Sequence, residues 1–183
     1  ALVAILRLGK SKVLRAVATV YTEVIRDTPL LLQLYFFYFL LPDILPALKL
    51  SKFACITIAL VINSGAYMSE VFRSGIQSID RGQTEAARSL GLSARQTMMR
   101  IILPQVIRII LPPISNETIT LVKDTSLVYV LAMNDLMRTA RNLVQRDFSI
   151  TPFIVAAVFY LLATLILTLV FERLEKRFSR YDQ

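Results

Sequence analysis

An uncharged stretch near the end of the chain restricts the possible folds more than any other feature. Residues 152–171 are twenty consecutive residues without a charged side chain, which is the length that an α-helix needs to cross the hydrocarbon core of a bilayer. Hydrophobic residues make up 55% of the chain, only 19% are charged, and the mean hydropathy is +0.59. A soluble domain has about a quarter charged residues. The chain is therefore expected to be an integral membrane protein built of α-helices.

Three further apolar runs are long enough to contribute spans. They cover residues 29–41, 53–69 and 101–133. The first is short for a bilayer, so its helix is expected to begin in the headgroup region or to be partly shielded by protein. The sequence predicts one domain over residues 1–183, an all-α membrane protein with about five transmembrane helices, of which the first is incomplete.

The beginning of the chain holds two apolar segments that cannot cross a bilayer by themselves. Residues 1–8 are apolar apart from Arg7 and too short, so they are either the end of a longer span or an amphipathic arm. Residues 13–25 are predicted to form an amphipathic helix in the membrane interface, ended by Pro29. The apolar face of this helix consists of Val13, Val17, Val20, Tyr21 and Val24.

Basic residues predict the orientation of the spans, because cytoplasmic loops carry an excess of Lys and Arg. If residues around 7–26, the segment 73–100 and the tail from 173 share one side, that side holds fourteen of the 21 basic residues. The opposite side then holds five. This difference assigns the segment 73–100 to the cytoplasm. The five are Lys49, Lys52, Arg138, Arg141 and Arg146, while Arg108 and Lys123 are expected at membrane depth.

Residues 78–100 form a polar segment, called the elbow below, that is predicted to be a helix, a turn and a second helix. Residues 84–90 are rich in good helix formers, and Gly91 can adopt the positive φ at which helices commonly end. Ser93 can cap the second helix while Gln96 caps in return, as in a capping box. Charged side chains keep the elbow in water, and they are Glu85, Arg88, Arg95 and Arg100.

The elbow also carries a motif. Glu85-Ala86-Ala87, three residues, Gly91, nine residues and Ile101-Ile102-Leu103-Pro104 resemble the coupling loop of bacterial ATP-binding-cassette import permeases. Further segments are similar to the polar amino acid uptake subfamily of these permeases, and the similarity covers nearly the whole chain. These segments are Arg26-Asp27-Thr28-Pro29-Leu30-Leu31, Asn63-Ser64-Gly65-Ala66-Tyr67 with Glu70 and Arg73, Leu103-Pro104-Gln105, Leu111-Pro112-Pro113 and Lys123-Asp124-Thr125-Ser126-Leu127.

The resemblance implies a function for the elbow. Glu85, Ala86, Ala87 and Gly91 would lie in or beside a cleft on an ABC ATPase subunit. Glu85 would pair with a basic group, the two small alanines would allow close approach, and Gly91 would set the angle between the helices. The alternative, judged from helix propensity alone, is a solvated loop that only connects two spans.

The resemblance also implies partners and a location. The importer would contain two permease copies, expected to be a homodimer, with two ATPase subunits and an extracytoplasmic substrate-binding protein in the bacterial cell membrane. ATP and Mg would be bound by the ATPase, and this chain would hold no cofactor. Related permeases have a full first span, which favours reading residues 1–8 as its end.

A polar stripe is predicted within the run 101–133. At about 100° per residue, five polar residues fall in one arc of roughly 120°. An ionisable group facing lipid costs at least about 2.5 kcal/mol, so the stripe is expected to form either a substrate pathway or a buried ion-pair network. Its two acids and one base favour a cationic or amide substrate, and a helix break at Pro112-Pro113 would free backbone groups near mid-membrane. The stripe consists of Asn116, Glu117, Thr120, Lys123 and Asp124.

A second polar seam begins within the run 53–69. Asn63, Tyr67 and Glu70 recur at i, i+4 and i+7, so they share one helix face. Asn63 and Tyr67 are candidates for the same substrate pathway. Alternatively, the seam packs against a neighbouring span with Glu70 paired to Arg73. The sequence leaves both alternatives open.

Composition argues against several classes of function. The chain has no histidine and one cysteine, Cys55, which excludes Ser-His nucleophile pairs, histidine zinc sites and an intramolecular disulfide. No catalytic residue and no metal site is therefore expected. Gly9-Lys10-Ser11 resembles the end of a phosphate-binding loop, but Ala4 stands where such a loop requires a glycine. The net charge of +8 is dispersed over the ends of apolar runs, which disfavours nucleic acid as a partner.

These expectations combine into one function. The chain is expected to be no enzyme but the permease subunit of an ATP-driven importer of polar, and by its charges basic, amino acids: arginine, lysine or histidine, with glutamine as a further candidate. One alternative is a permease of the same architecture for another small solute, which only an external receptor selects. The other is a membrane assembly protein without transport activity, whose elbow binds a cytosolic partner without ATP.

Overall fold

A computed structural model describes residues 2–48 and 50–179, and in this part of the chain ten α-helices follow one another. Lys49 and Arg180, which enter the count of basic residues, and Ala1 lie outside the described residues. The helices are α1 Leu2–Leu8, α2 Lys12–Asp27, α3 Leu30–Tyr35, α4 Leu41–Ile44, α5 Lys52–Gln77, α6 Arg81–Ser89, α7 Ala94–Thr97, α8 Leu103–Asp124, α9 Leu136–Asp147 and α10 Thr151–Ser179.

Irregular helical turns connect several of these elements. π-helical turns join α3 to α4 at Phe36–Leu40 and α7 to α8 at Met98–Ile102. A 3₁₀ turn follows α4 at Pro46–Leu48, and another, Thr125–Leu131, extends α8. Each π-helical turn lies just ahead of a proline, Pro42 or Pro104. Proline has no backbone N–H to donate to the preceding turn, so a local change of hydrogen-bond pattern is expected there.

The described residues confirm an all-α membrane fold. Three helical runs are long and apolar enough to cross a membrane: Lys52–Gln77, Ala94–Leu131 and Thr151–Phe178. A fourth span results if the broken pair Lys12–Asp27 and Leu30–Ile44 is counted as one. The sequence-based expectation of about five includes an incomplete first span, for which the structure has the seven-residue helix α1.

The predicted break at Pro112-Pro113 is wrong. Both prolines lie inside α8, which runs without interruption for 22 residues. Proline locks φ near the α-helical value, so it removes helical hydrogen bonds without forcing the backbone out of the helix. Val106 and Ile110, six and two residues before Pro112, pack in an apolar core, which offsets part of the lost hydrogen bonding.

The chain divides into two compact units. The first comprises Ala1–Val24, Gly65–Glu117 and Phe171–Gln183. Its core is formed by Ile102, Val106 and Ile110 of the α7 to α8 run, against which the end of α5 packs. Gly75 belongs to this contact, because a side chain at this position would collide with Ile110. The absence of a Cβ therefore lets α5 and α8 approach closely on either side of the elbow.

The second unit comprises Ile25–Ser64 and Thr118–Val170. Its core contains Leu34 and Tyr38 from the α3 to α4 run, Ile56 and Ala59 from α5, and Leu131 from the 3₁₀ turn. Gln33, Leu34 and Tyr38 are buried. The short run 29–41 is thus shielded by protein along one face, as its length predicts.

Candidate functional site

The first helix of the elbow is capped at its start and buried along one side. Asp80 precedes α6, and its carboxylate accepts a hydrogen bond from the backbone N–H of Gly82 at 2.5 Å. Ala87 is 4% exposed, so its methyl group faces the chain itself. Glu85 and Ala86 are exposed on the other side of the helix.

The end of α6 is a Schellman turn centred on glycine. The backbone N–H of Leu92 donates to the carbonyl of Ala87 at 3.1 Å, and that of Gly91 donates to Arg88 at 2.9 Å. These are the two bonds that define this motif. Gly91 has a φ of +78°, and no atom lies within 4 Å of the position that a Cβ would take. The conformation, and not lack of space, is thus what favours glycine there.

The second helix of the elbow has the predicted capping box. The hydroxyl of Ser93 accepts from the backbone N–H of Gln96 at 3.3 Å, and the Gln96 side chain accepts from the backbone N–H of Ser93 at 2.8 Å. Thr97, one residue later, is buried and donates its hydroxyl to the Ser93 carbonyl at 3.0 Å. The elbow is therefore defined by its own short-range hydrogen bonds.

The tip of the elbow presents an apolar residue that sequence reasoning missed. Leu90, the residue before Gly91, is 82% exposed. Leu90 follows the exposed Arg88 and Ser89, so the tip of the elbow offers an apolar side chain next to polar ones. Together with Glu85, Ala86 and Gly91 it forms an exposed surface of mixed charge and small side chains. The buried Ala87 is not part of this exposed surface.

The polar stripe lies on α8, and the side chains along one edge of it are exposed. Asn116, Thr120 and Lys123 are exposed, whereas Glu117 and Asp124 are partly buried. The exposed edge recurs at i, i+4 and i+7, so α8 presents it as a continuous line. Lys123 and Asp124 are the last residues of α8, about 30 Å from Leu103 at the rise of an α-helix. They therefore lie at the end of α8, and the helical run continues to Leu131 beyond them.

Lys123 lines an open pocket of the second unit. The pocket has a volume of about 350 Å³ and combines one ammonium group with hydroxyls and apolar side chains. Tyr160 of α10 and Ser126 contribute the hydroxyl groups that line this pocket. The remaining lining residues are Met137, Phe153, Ala156 and Ala157. The surface of the pocket is almost entirely apolar, so it offers a ligand few polar contacts.

The side chain of Asn63 belongs to a buried network of hydrogen-bonded amide side chains. It is 8% exposed, and its amide donates to the side-chain oxygen of Gln33 at 2.9 Å. The amide nitrogen of Gln33 in turn donates to the Ile25 carbonyl at 2.7 Å and to the Thr28 hydroxyl at 2.8 Å. This network satisfies backbone groups where α2 ends and α3 begins. Asn63 thus takes part in packing in this structure, Tyr67 is partly buried, and the substrate contacts of both residues stay predictions.

Glu70 at the end of the same seam pairs with two arginines. Arg73, one turn later on α5, forms the predicted ion pair with it. Arg7 of α1 also donates to Glu70, at 2.5 Å, and lies 3.4 Å from Glu23 of α2. The Arg7 side chain is only 10% exposed, so this network links three helices of the first unit. A lone arginine in the apolar run 1–8 was the only sequence signal for it.

The family of the chain is shown by three comparisons. Residues 1–180 match the family model described as binding-protein-dependent transport system inner membrane component. The chain is 42% identical over 180 residues to the probable glutamine ABC transporter permease protein GlnM of Bacillus subtilis, covering 97% of this chain and 82% of the relative. It is 38% identical over 180 residues to the L-cystine transport system permease protein TcyB of the same bacterium, covering 97% and 76%.

A solved structure agrees with this assignment. The structure described as the crystal structure of an amino acid ABC transporter with histidines superposes with a TM-score of 0.83 at 37% sequence identity. The superposition covers 96% of this chain and 82% of that chain. The predicted resemblance to importer permeases is thereby confirmed in sequence and in fold. The chain belongs to the family of binding-protein-dependent transport system inner membrane components, as a multi-pass permease.

Proposed function

We propose that the chain is the permease subunit of an ATP-driven importer of polar amino acids in a bacterial inner membrane. The observation that carries the proposal is the exposed elbow. It is held rigid by the Schellman turn at Gly91 and the capping box at Ser93, and it joins two helices whose apolar faces pack together. A force applied to such an element is transmitted to α5 and α8 rather than absorbed by a flexible loop.

The elbow is proposed to dock on an ABC ATPase subunit. Glu85 supplies a negative charge for a basic group, Ala86 permits close approach, and the exposed Leu90 supplies an apolar contact. ATP binding would bring two ATPase subunits together and move the two elbows of a permease homodimer. The permease would then alternate between outward-facing and inward-facing states. A substrate-binding protein would deliver the amino acid from outside.

Basic amino acids are the proposed preferred substrates. The stripe on α8 contains Glu117 and Asp124 against the single base Lys123. Carboxylates bind ammonium and guanidinium groups through charge-assisted hydrogen bonds, and the exposed ammonium group of Lys123 suits the substrate carboxylate. Similarity to a glutamine permease and to a cystine permease supports an amino acid substrate without distinguishing among side chains.

Uptake in proteoliposomes tests this proposal. The permease, its ATPase and the receptor are reconstituted, and ATP-dependent uptake of labelled arginine, glutamine, histidine and glutamate is compared. Arginine and histidine are expected to be carried fastest. If glutamate or an unrelated solute is carried instead, the substrate assignment fails but the importer assignment stands. If no ATPase copurifies with the permease, the importer assignment itself fails.

The second candidate is a permease of the same architecture in which only the receptor selects the solute. The buried network of Asn63 and Gln33 favours it, since a predicted substrate residue is engaged in packing. Glu117→Gln and Asp124→Asn separate the two candidates. A change in the substrate preference of the reconstituted importer supports selection by the stripe, and an unchanged preference supports selection by the receptor.

A further inference from the structure

Helix α2 has an apolar stripe on the side that faces away from the protein. Val13, Val17, Val20 and Val24 are each between 54% and 72% exposed. They follow one another at spacings of four, three and four residues, so they form a single line along the 16-residue helix. A line of four exposed valines is a contact surface for an apolar medium and not for water.

The helix cannot rotate to hide this stripe. Ala18 and Thr22 are buried, and at about 100° per residue they lie roughly opposite the valines. The Tyr21 hydroxyl lies close to Gly65 of α5, and Glu23 is held by Arg7 at 3.4 Å. The rotation of α2 is therefore set by contacts on its other faces.

A third face of α2 is polar and prevents the helix from lying in hydrocarbon. Lys12 and Glu23 are exposed on it, and the exposed Arg15 lies at its border with the protein-facing side. Burying these charges in the bilayer core would cost about 2.5 kcal/mol or more each. The helix thus has one side toward the protein, one toward an apolar phase and one toward water, which describes a helix in the membrane interface.

The water side of α2 is basic at its beginning. Lys10, Lys12 and Arg15 are exposed within six residues, and the Arg15 guanidinium donates to the Gly9 carbonyl at 2.8 Å. This bond holds Arg15 against the turn between α1 and α2 that carries the two lysines. The charge count assigns the segment to the cytoplasmic side, where the leaflet is anionic. A second copy of the same surface would instead bring like charges together.

We propose that α2 lies in the cytoplasmic headgroup region and binds anionic lipid. The valine stripe inserts between acyl chains, and Lys10, Lys12 and Arg15 bind the phosphate-containing headgroups. The proposal depends on the membrane location of the chain and not on its substrate or its ATPase. It can therefore fail or succeed independently of the proposed importer function.

The absence of tryptophan from the chain makes a direct test possible. Val17→Trp introduces a single tryptophan into the stripe, and Leu90→Trp introduces one into the exposed tip of the elbow as a matched control. The permease, with phenylalanine in place of any tryptophan outside residues 1–183, is placed in nanodiscs that contain lipids brominated in their acyl chains, which quench tryptophan fluorescence on contact. We expect strong quenching of Val17→Trp and little quenching of Leu90→Trp. Val20→Trp serves as a second stripe variant if Val17→Trp does not fold.

Headgroup selectivity is tested with brominated phosphatidylglycerol and brominated phosphatidylcholine at equal mole fractions. Each basic residue near an anionic surface contributes about a fivefold preference, so three give roughly 100-fold before screening by salt. We expect phosphatidylglycerol to quench Val17→Trp more strongly. The combined variant Lys10→Gln, Lys12→Gln, Arg15→Gln should remove this preference while quenching by phosphatidylcholine persists. The same three-charge removal at Arg173, Lys176 and Arg177, on the same side of the membrane, should leave the preference intact.

Three results would overturn the proposal. Quenching of Val17→Trp no stronger than that of Leu90→Trp would show that the stripe does not contact lipid. A disulfide-linked dimer of Val17→Cys in membranes would show that a second copy covers the stripe, because Cys55 is fully buried and does not compete. Equal quenching by the two brominated lipids would show that the basic residues do not select anionic headgroups.

Discussion

Helices α6 and α9 both end in a left-handed residue, but they use very different amino acids for it. Helix α6 ends at Gly91 with a φ of +78°, and helix α9 ends at Phe148 with a φ of +47°. Glycine adopts this conformation freely, whereas a residue with a Cβ loses about 1 to 2 kcal/mol there. The same turn is therefore relaxed in the elbow and strained after α9.

Burial does not compensate for the strain at Phe148. Its side chain is 95% exposed and lines an open groove with Val144 and Ile150. An aromatic residue normally contributes to stability through the area that it buries, and within this chain Phe148 buries almost none. The Gly91 turn thus has a backbone conformation that glycine adopts freely, whereas Phe148 holds an exposed aromatic ring on a backbone that a residue with a Cβ disfavours.

The largest expected difference between the two turns is in transport. Gly91→Asp introduces a residue that tolerates positive φ better than most residues do. It also adds a charged side chain to the proposed docking surface. We expect it to abolish ATP-dependent uptake in proteoliposomes while the permease remains in the membrane. Phe148→Asp is the matched control and is expected to leave uptake coupled to ATP hydrolysis. Coupled hydrolysis in Gly91→Asp, or its loss in both variants, would contradict the docking role of the elbow.

Charge reversal at Glu85 is a second test of the proposed docking surface on the elbow. Glu85 is exposed on α6, and Glu85→Lys would place a positive charge against the basic group with which it is proposed to pair. We expect loss of uptake and of ATPase copurification. Glu172→Lys makes the same reversal at an exposed position that the charge count assigns to the same side. Equal loss in both variants would indicate a general charge effect on assembly rather than a contact made by Glu85.

Replacing Gly91 by alanine is expected to have a smaller effect, which is on the stability of the turn in the elbow. Gly91→Ala adds a methyl group into open space, so only the positive φ is penalised. A cost of about 1 kcal/mol corresponds to roughly fivefold faster opening of the turn. Hydrogen exchange at the amides of Gly91 and Leu92, which donate the two Schellman bonds, measures this opening. The turn should open less often in Gly91→Asn than in Gly91→Ala. Equal exchange rates in the wild type and in Gly91→Ala would show that the positive φ at this position does not limit the stability of the turn.

The elbow could be predicted from sequence because its determinants are local. The glycine turn and the capping box each depend on residues within six positions of one another. Pairs between distant segments could not be predicted in this way. Asn63 and Gln33 are 30 residues apart and Arg7 and Glu70 are 63 apart, so their contacts depend on which helices become neighbours. The open edge of the α8 stripe likewise depends on tertiary packing, which helical periodicity alone does not determine.

Helix α9 and the continuity of α8 show two further limits. Asp135 caps α9 by accepting from the Arg138 backbone N–H at 2.8 Å, which is a local signal that the hydropathy pattern obscures. Pro112 and Pro113 predict a break when they are considered alone. The observed helix continues because packing of its apolar face outweighs the loss of local hydrogen bonds.

A gain in stability, rather than a loss, is expected when the strained turn after α9 is relaxed. Phe148→Gly should stabilise the end of α9 by about 1 kcal/mol or less, because relief of strain is partly offset by the greater freedom of glycine in the unfolded chain. Phe148→Ala is the control, since it removes the ring but keeps a Cβ, and it should leave the stability nearly unchanged. Hydrogen exchange in the last turn of α9 measures both. Slower exchange in Phe148→Ala as well would mean that the ring, and not the backbone, disfavours the turn.

The smallest expected difference between the two turns is in their response to pH. Arg146 donates to both oxygens of Asp147, at 2.7 and 2.9 Å, and this hydrogen bonding lowers the pKa of Asp147 in the folded chain. Its contribution is therefore present above the unfolded pKa, about 3.9, and is lost as pH falls through the lower folded pKa. Both side chains are exposed, so the effect should be slight and should shrink with salt. We expect acidification to loosen the end of α9 at Phe148 but not the Gly91 turn, whose bonds join uncharged backbone groups. In Arg146→Gln the Asp147 carboxyl, followed by NMR titration, should regain an ordinary pKa, and an unchanged titration would show that the ion pair does not form in solution.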